Sequence, residues 1–235
     1  MGASEAKMSV WWEVEDALES IIVEYERVNH VISFFQDENA RRKGLRMAGY
    51  HEGVGLELGS GPGNFTPNLK DILRGFLVCL DYSDKMLMVG RRRNCEDDVG
   101  FVLAVFEALP FRERTISLAA GAFALRDTLD KAVALKEIFF SLKEGGCLLV
   151  VDIGRPNNGI VRKGLDIYIK YIVPIIGGLM AGYGFRNPWC MLHETYLSLP
   201  VNRDYERMMR ESIGKADLEQ LSLGGLIVAT AVKTQ

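Results

Sequence analysis

The chain has 235 residues, 48% apolar and 25% charged, with a net charge of −3. That length supports one sizeable core, and the slight acidity argues against a nucleic-acid surface, which draws on clustered Lys and Arg. Cys79, Cys95, Cys147 and Cys190 form no CxxC pair, and His30, His51 and His193 lack ligand spacing, so neither a disulfide framework nor a metal site is expected.

Residues 9–48 repeat apolar positions at three- and four-residue spacing, which predicts helices that end at Gly49. From Gly53 onward the pattern changes. The runs GVGLELG, GFLVCLD, GFVLAVF, ISLAAGAFA and GCLLVVDIG read as short strands spaced by helix-like stretches, the pattern of a parallel sheet covered on both faces. Strand periodicity lapses between Arg155 and Arg207, which predicts an inserted cap, and Pro174 with Gly177 and Gly178 predicts that no single helix spans it. The final runs, ADLEQLSL and LIVATAVK, are separated by little more than Gly224 and Gly225, too short a link for a parallel crossover. One antiparallel strand is therefore expected at the carboxyl end. The whole reads as a single α/β domain, with residues 1–50 a helical lid, 51–154 the core, 155–207 the cap and 208–235 a final helix and strand hairpin. The amino-terminal residues lack the basic-then-apolar pattern of a secretory signal, and no apolar run reaches about 18 residues without a charge or proline. A cytoplasmic setting follows.

The stretch GLELGSGPGNF, residues 55–65, places Gly59, Gly61 and Gly63 between a strand and a helix. Bare backbone turns sharply there and approaches a ligand closely. A dinucleotide fingerprint would carry its third glycine at Asn64, so the spacing speaks against that ligand. Asp81 closes the next strand, where an ionised carboxylate, with about four lone-pair sites, can accept both hydroxyls of a ribose.

The E-L-G-S-G-P-G segment resembles motif I of class I S-adenosylmethionine (SAM)-dependent methyltransferases, whose Rossmann-like fold has a seven-stranded, mostly parallel sheet. That resemblance implies that Glu57, Gly59, Ser60, Gly61 and Gly63 hold the amino-acid end of SAM and that Asp81, Tyr82 and Met86 hold the adenosine. AVFEALPF resembles the family's adenine-side motif through Phe106 and Glu107, with Val105 where an Asp is usual; Gly121 and Phe123 complete the implied cofactor set.

YERVNHVIS and AGAFALRDTLDKAVALKEIFFSLKEGG narrow the resemblance to the C-methyltransferases of ubiquinone and menaquinone biosynthesis, from about Tyr25 to Lys233. Glu26, Val28, Asp37, Ala40, Asp127, Phe140 and Glu144 depart from that pattern. The resemblance implies a lipophilic aromatic acceptor, S-adenosylhomocysteine as product, and catalytic roles for Arg126, Tyr25 and Asn29. A ring carbon of a quinol attacks more readily when a neighbouring hydroxyl shares its proton, and Arg126 could stabilise the resulting oxygen anion. Arg41 or Arg42 could meet the cofactor carboxylate, against the plainer reading of a solvated helix face. His30 and His193 read as surface or packing residues before bases. The apolar cap suits a cavity for an isoprenoid tail, contact with the inner face of the membrane, core packing or a homodimer surface. A lipid amine or oxygen acceptor, and a non-catalytic SAM-binding subunit, remain alternatives.

Overall fold

The computed structural model describes residues 25–182 and 187–234. Among the described residues two helices, α1 (Tyr25–Ile32) and α2 (Gln36–Ala48), precede the sheet, and Gly49, at φ +72°, ends the second as expected. Then follow β1 (His51–Leu58), α3 (Thr66–Ile72), β2 (Leu73–Asp81), α4 (Asp84–Arg93), β3 (Val99–Leu103), β4 (Ile116–Ala122), α5 (Lys131–Ser141) and β5 (Leu142–Ile153). A long helix, α6 (Gly159–Ala181), is followed by α7 (Leu192–Leu197), α8 (Asn202–Ser212), β6 (Gly214–Leu221) and β7 (Leu226–Lys233).

The seven strands lie in the order β3-β2-β1-β4-β5-β7-β6. Neighbours are parallel except β7, which runs antiparallel to both β5 and β6. The short link before Leu226 thus closes a hairpin, as its length required. Alternation along the strands builds two apolar layers: Leu148 and Val150 of β5 face one layer, Leu149 and Val151 the other. The first is covered by α5 and α8 through Ala134, Leu135, Ile138, Tyr205 and Met209. The second is covered by α2 and α3, and Gly44 lets α2 sit so close that a Cβ there would lie 2.9 Å from Val151. Edge strand β6 exposes Lys215, Asp217 and Glu219 in alternation, charges that discourage pairing with another chain.

The cap departs from expectation. Residues 159–181 form one continuous helix, because a π-helical turn at Tyr168–Ile172 immediately precedes Pro174. Proline lacks an N–H and crowds the carbonyl four residues earlier, and the wider turn relieves both problems. Val28 of α1 packs with Val173 and Trp189, and the Tyr168 hydroxyl donates to the Ile32 carbonyl at 2.8 Å, tying α1 to α6.

Candidate active site

Two concavities meet at the carboxyl ends of the parallel strands, where open α/β sheets bind ligands. The first is a cleft over the glycine loop, lined by Glu57, Gly59, Ser60, Gly61, Asp81, Tyr82, Met86, Phe106, Glu107 and Phe123, together with Arg41 and Asp127. The second is an apolar cavity of about 350 Å³ walled by Asn29, Arg126, Leu165, Tyr168 and Ile169, among others; Phe123 lines both.

The loop conformation explains its composition. Gly59, Gly61 and Gly63 have φ of +64°, +53° and +81°, a region that other residues enter only with strain. A Cβ on Gly59 would stand 2.5 Å from that of Ala124, whereas one on Gly61 would meet nothing within 4 Å. Gly63 is placed differently from the other two: its α-carbon faces Asn94 and Gly90, behind the cleft. Gly121 likewise packs on Leu125 and Leu58 within the sheet.

Asp81 braces the loop. One carboxylate oxygen accepts from the Gly61 amide at 2.8 Å and the other from the Ser83 amide at 2.9 Å. Ser83 in turn caps α4 by accepting from the Met86 amide. The Tyr82 amide also donates to the carboxylate, so most of its roughly four acceptor sites are used and the remainder is open to a hydroxyl in the cleft. Burial pushes the Asp81 carboxyl upward, and the backbone donors from Ser83 and Gly61 oppose this.

Glu57 is fully enclosed. Burial pushes its carboxyl up to about 7, against donation from Thr66 at 2.6 Å, the Cys79 thiol and attraction by Arg41. Arg41 lies over the rings of Phe65 and Phe123, at 5.9 and 5.6 Å. Its Nε and the Ser60 hydroxyl are buried with no hydrogen-bond partner among the described residues. A cleft holding a guanidinium with an unmatched Nε, an unmatched hydroxyl and a carboxyl raised to about 7 fits a ligand with its own carboxylate and ammonium, as the amino-acid end of SAM has. Arg42 instead bonds Glu38 on the surface, so the solvated-face reading holds for Arg42 and not for Arg41.

Glu107 lines the cleft while one of its oxygens accepts from the Leu129 and Asp130 amides. Arg126 stands in the wall of the apolar cavity with its guanidinium 3.1 Å from Asp152 and 3.4 Å from Asp127. Its charge is thus already shared with two acids, a constraint that spacing in the chain could not reveal. Burial pushes Asp127 up to about 6, although Arg126 draws it down. Asn29 reaches the cavity; the Tyr25 side chain lies outside the described part. His30 pairs with Asp37 and His193 with Asp166, both at 2.7 Å. Among the described residues no His, Cys, Asp and Glu cluster could hold a metal.

The chain is similar to known proteins along nearly its whole length. The profile of the ubiE/COQ5 methyltransferase family matches residues 2–234. The ubiquinone/menaquinone biosynthesis C-methyltransferase UbiE of Shewanella frigidimarina is 33% identical over 209 residues, 83% of either chain. A demethylmenaquinone methyltransferase of Lactococcus lactis is 27% identical over 228 residues, 94% of this chain and 89% of the relative. Among solved structures, a SAM-dependent methyltransferase of Thermotoga maritima superposes with a TM-score of 0.67 at 19% identity, covering 94% of this chain and all of that one.

Proposed function

The chain belongs to the ubiE/COQ5 methyltransferase family and is a SAM-dependent methyltransferase, and from that premise we propose that it methylates a ring carbon of a lipophilic quinol of the ubiquinone or menaquinone type. One observation carries the proposal: the cofactor cleft opens beside a separate apolar cavity of about 350 Å³, and the Phe123 side chain borders both. An aromatic ring held in that cavity lies beside the cleft, and an isoprenoid tail finds Leu165, Tyr168 and Ile169. The names of the relatives point to the same acceptor class.

SAM, when bound, supplies a methyl group already activated on a sulfonium, so the chain's task is chiefly to align the acceptor. The glycine loop, Asp81, Glu57 and Arg41 fix the donor. Helix α2 closes on the cleft through Arg41, while α1 and α6 wall the acceptor cavity through Asn29, Leu165 and Tyr168, and together they exclude water. The ring carbon's electron pair forms the new C–CH3 bond, the S–CH3 pair returns to sulfur, and the ring loses its proton. Arg126, held fixed by Asp152, favours negative charge on the neighbouring hydroxyl oxygen, and Asp127 is the carboxyl in the cleft poised to take that proton near neutrality. The acceptor is met at the cytoplasmic face of a membrane.

Asp127 also supports a second reading. A carboxylate in the cofactor cleft, 3.4 Å from the Arg126 that walls the acceptor cavity, would hold an amine as readily as accept a phenolic proton. Labelled SAM offered with short-tailed demethylated quinols and with a panel of amines separates the readings. Ring C-methylation is expected; methyl transfer to an amine and to no quinol would reject the first.

A further inference from the structure

We infer that the outer face of α6, with the two loops at the cavity mouth, docks on an anionic phospholipid bilayer and feeds the acceptor from the membrane into the cavity. The inference rests on the lipophilic acceptor proposed above and adds the partner surface.

Helix α6 has 23 residues, yet only 28% of its most apolar stretch is buried, unlike the core helix of a globular domain. Val161, Leu165 and Tyr168 line the cavity. One position away, Ile160, Ile167, Tyr171, Ile175 and Leu179 turn outward on an adjoining face, with Ile160 86% and Leu179 79% exposed. Exposed Lys163 and Lys170 stand among them, while the one acid of the helix, Asp166, is occupied by His193. An apolar stripe with interleaved lysines and a tyrosine is complementary to an acidic interface. By length and composition the helix could cross a bilayer, but its inner side is packed on the domain through Ile169 and Val173, so it lies along the surface.

A second observation is independent of the helix. Phe34 and Phe35 on one loop, and Ser222 and Leu223 on another, all have positive φ, between 50° and 59°. Consecutive non-glycine residues in this region are strained. Their effect is to hold Phe34, Phe35 and Leu223 out into solvent, at 68%, 66% and 84% exposure. Phe34 and Leu223 also line the cavity, so the displayed apolar groups rim its entrance.

The test is co-sedimentation of the full chain with vesicles of phosphatidylcholine alone or with phosphatidylglycerol added, in the absence of any acceptor. Binding to the acidic vesicles is expected, and it should weaken with salt. Lys163→Gln and Lys170→Gln should each reduce it by about fivefold. Ile167→Asp with Tyr171→Asp should abolish it while the thermal shift with SAM and turnover of a short-tailed quinol persist. Should that variant fail to fold, acetylation of Lys163 and Lys170 in the parent gives the answer: acidic vesicles should slow it severalfold while leaving Lys215 on β6 unaffected. Failure of the parent to sediment, or unprotected lysines, overturns the inference. So does a double variant that turns a dimer into a monomer with vesicle binding intact, which would assign the face to a second copy. Because no acceptor is present, the quinol reading can fail while vesicle binding stands, and the converse.

Discussion

Asp152 of β5 holds Arg126 twice, accepting from its backbone amide and from its guanidinium, each at 3.1 Å. Asp152 has no solvent exposure, so its charge depends on that partner. Arg126→Ala should therefore destabilise the fold by about 3 to 5 kcal/mol as well as slow turnover. Urea unfolding measures it, and a loss under about 1 kcal/mol would show that Asp152 finds another partner.

Asp127 should make stability depend on pH. Its carboxyl is raised from 3.8 to about 6 by burial. The folded state thus favours the neutral acid, whose contribution is complete below about pH 4 and lost as pH rises through 6. Asparagine mimics the neutral form at every pH. The advantage of Asp127→Asn over the parent should grow from pH 4 to pH 7, reaching at most about 3 kcal/mol. A difference constant across that range would contradict the assignment.

Gly59→Ala places a methyl group 2.5 Å from Ala124 in a residue at φ +64°. A cost of about 1 to 3 kcal/mol and displacement of the loop are expected. The parent at a hundredfold its dissociation constant should gain about 2.7 kcal/mol from SAM, and the variant little. Gly61→Ala, whose Cβ points into open space, should lose less stability.

Arg41→Gln should weaken SAM by roughly tenfold, as expected for one charge-assisted contact. Decarboxylated SAM, which offers the guanidinium nothing, should bind both proteins alike. Isothermal calorimetry decides it; equal losses for the two ligands would place the cofactor carboxylate elsewhere.

Glu57 should bind SAM with proton release. Its carboxyl sits at about 7 through burial, and an arriving ammonium favours the ionised form. Affinity should rise from pH 6 to pH 8, and Glu57→Gln should flatten that rise.

The local motifs were the most legible part of the sequence. The glycine loop, Asp81 at a strand end and the short link before Leu226 each act over a few residues, so spacing alone located them. Arg41 shared its helix with surface arginines, and only the approach of Phe65 and Phe123, distant in the chain, marks it as facing the cleft. The Arg126, Asp127 and Asp152 cluster joins the turn after β4 to β5 through contacts that no local pattern encodes. Pro174 misled for a related reason. Its effect on a helix depends on how the preceding turn is wound, and a π-helical turn has no strong compositional mark.

The sheet order has a consequence for biosynthesis. β7 comes last along the chain yet lies between β5 and β6. Until the ribosome has released residues 226–233, the apolar strand from Cys147 to Ile153 offers seven unpaired positions to any extended peptide. Emergence of residues 226–233 seals that edge, so a nascent chain stalled short of Leu226 is the species in greatest need of a chaperone.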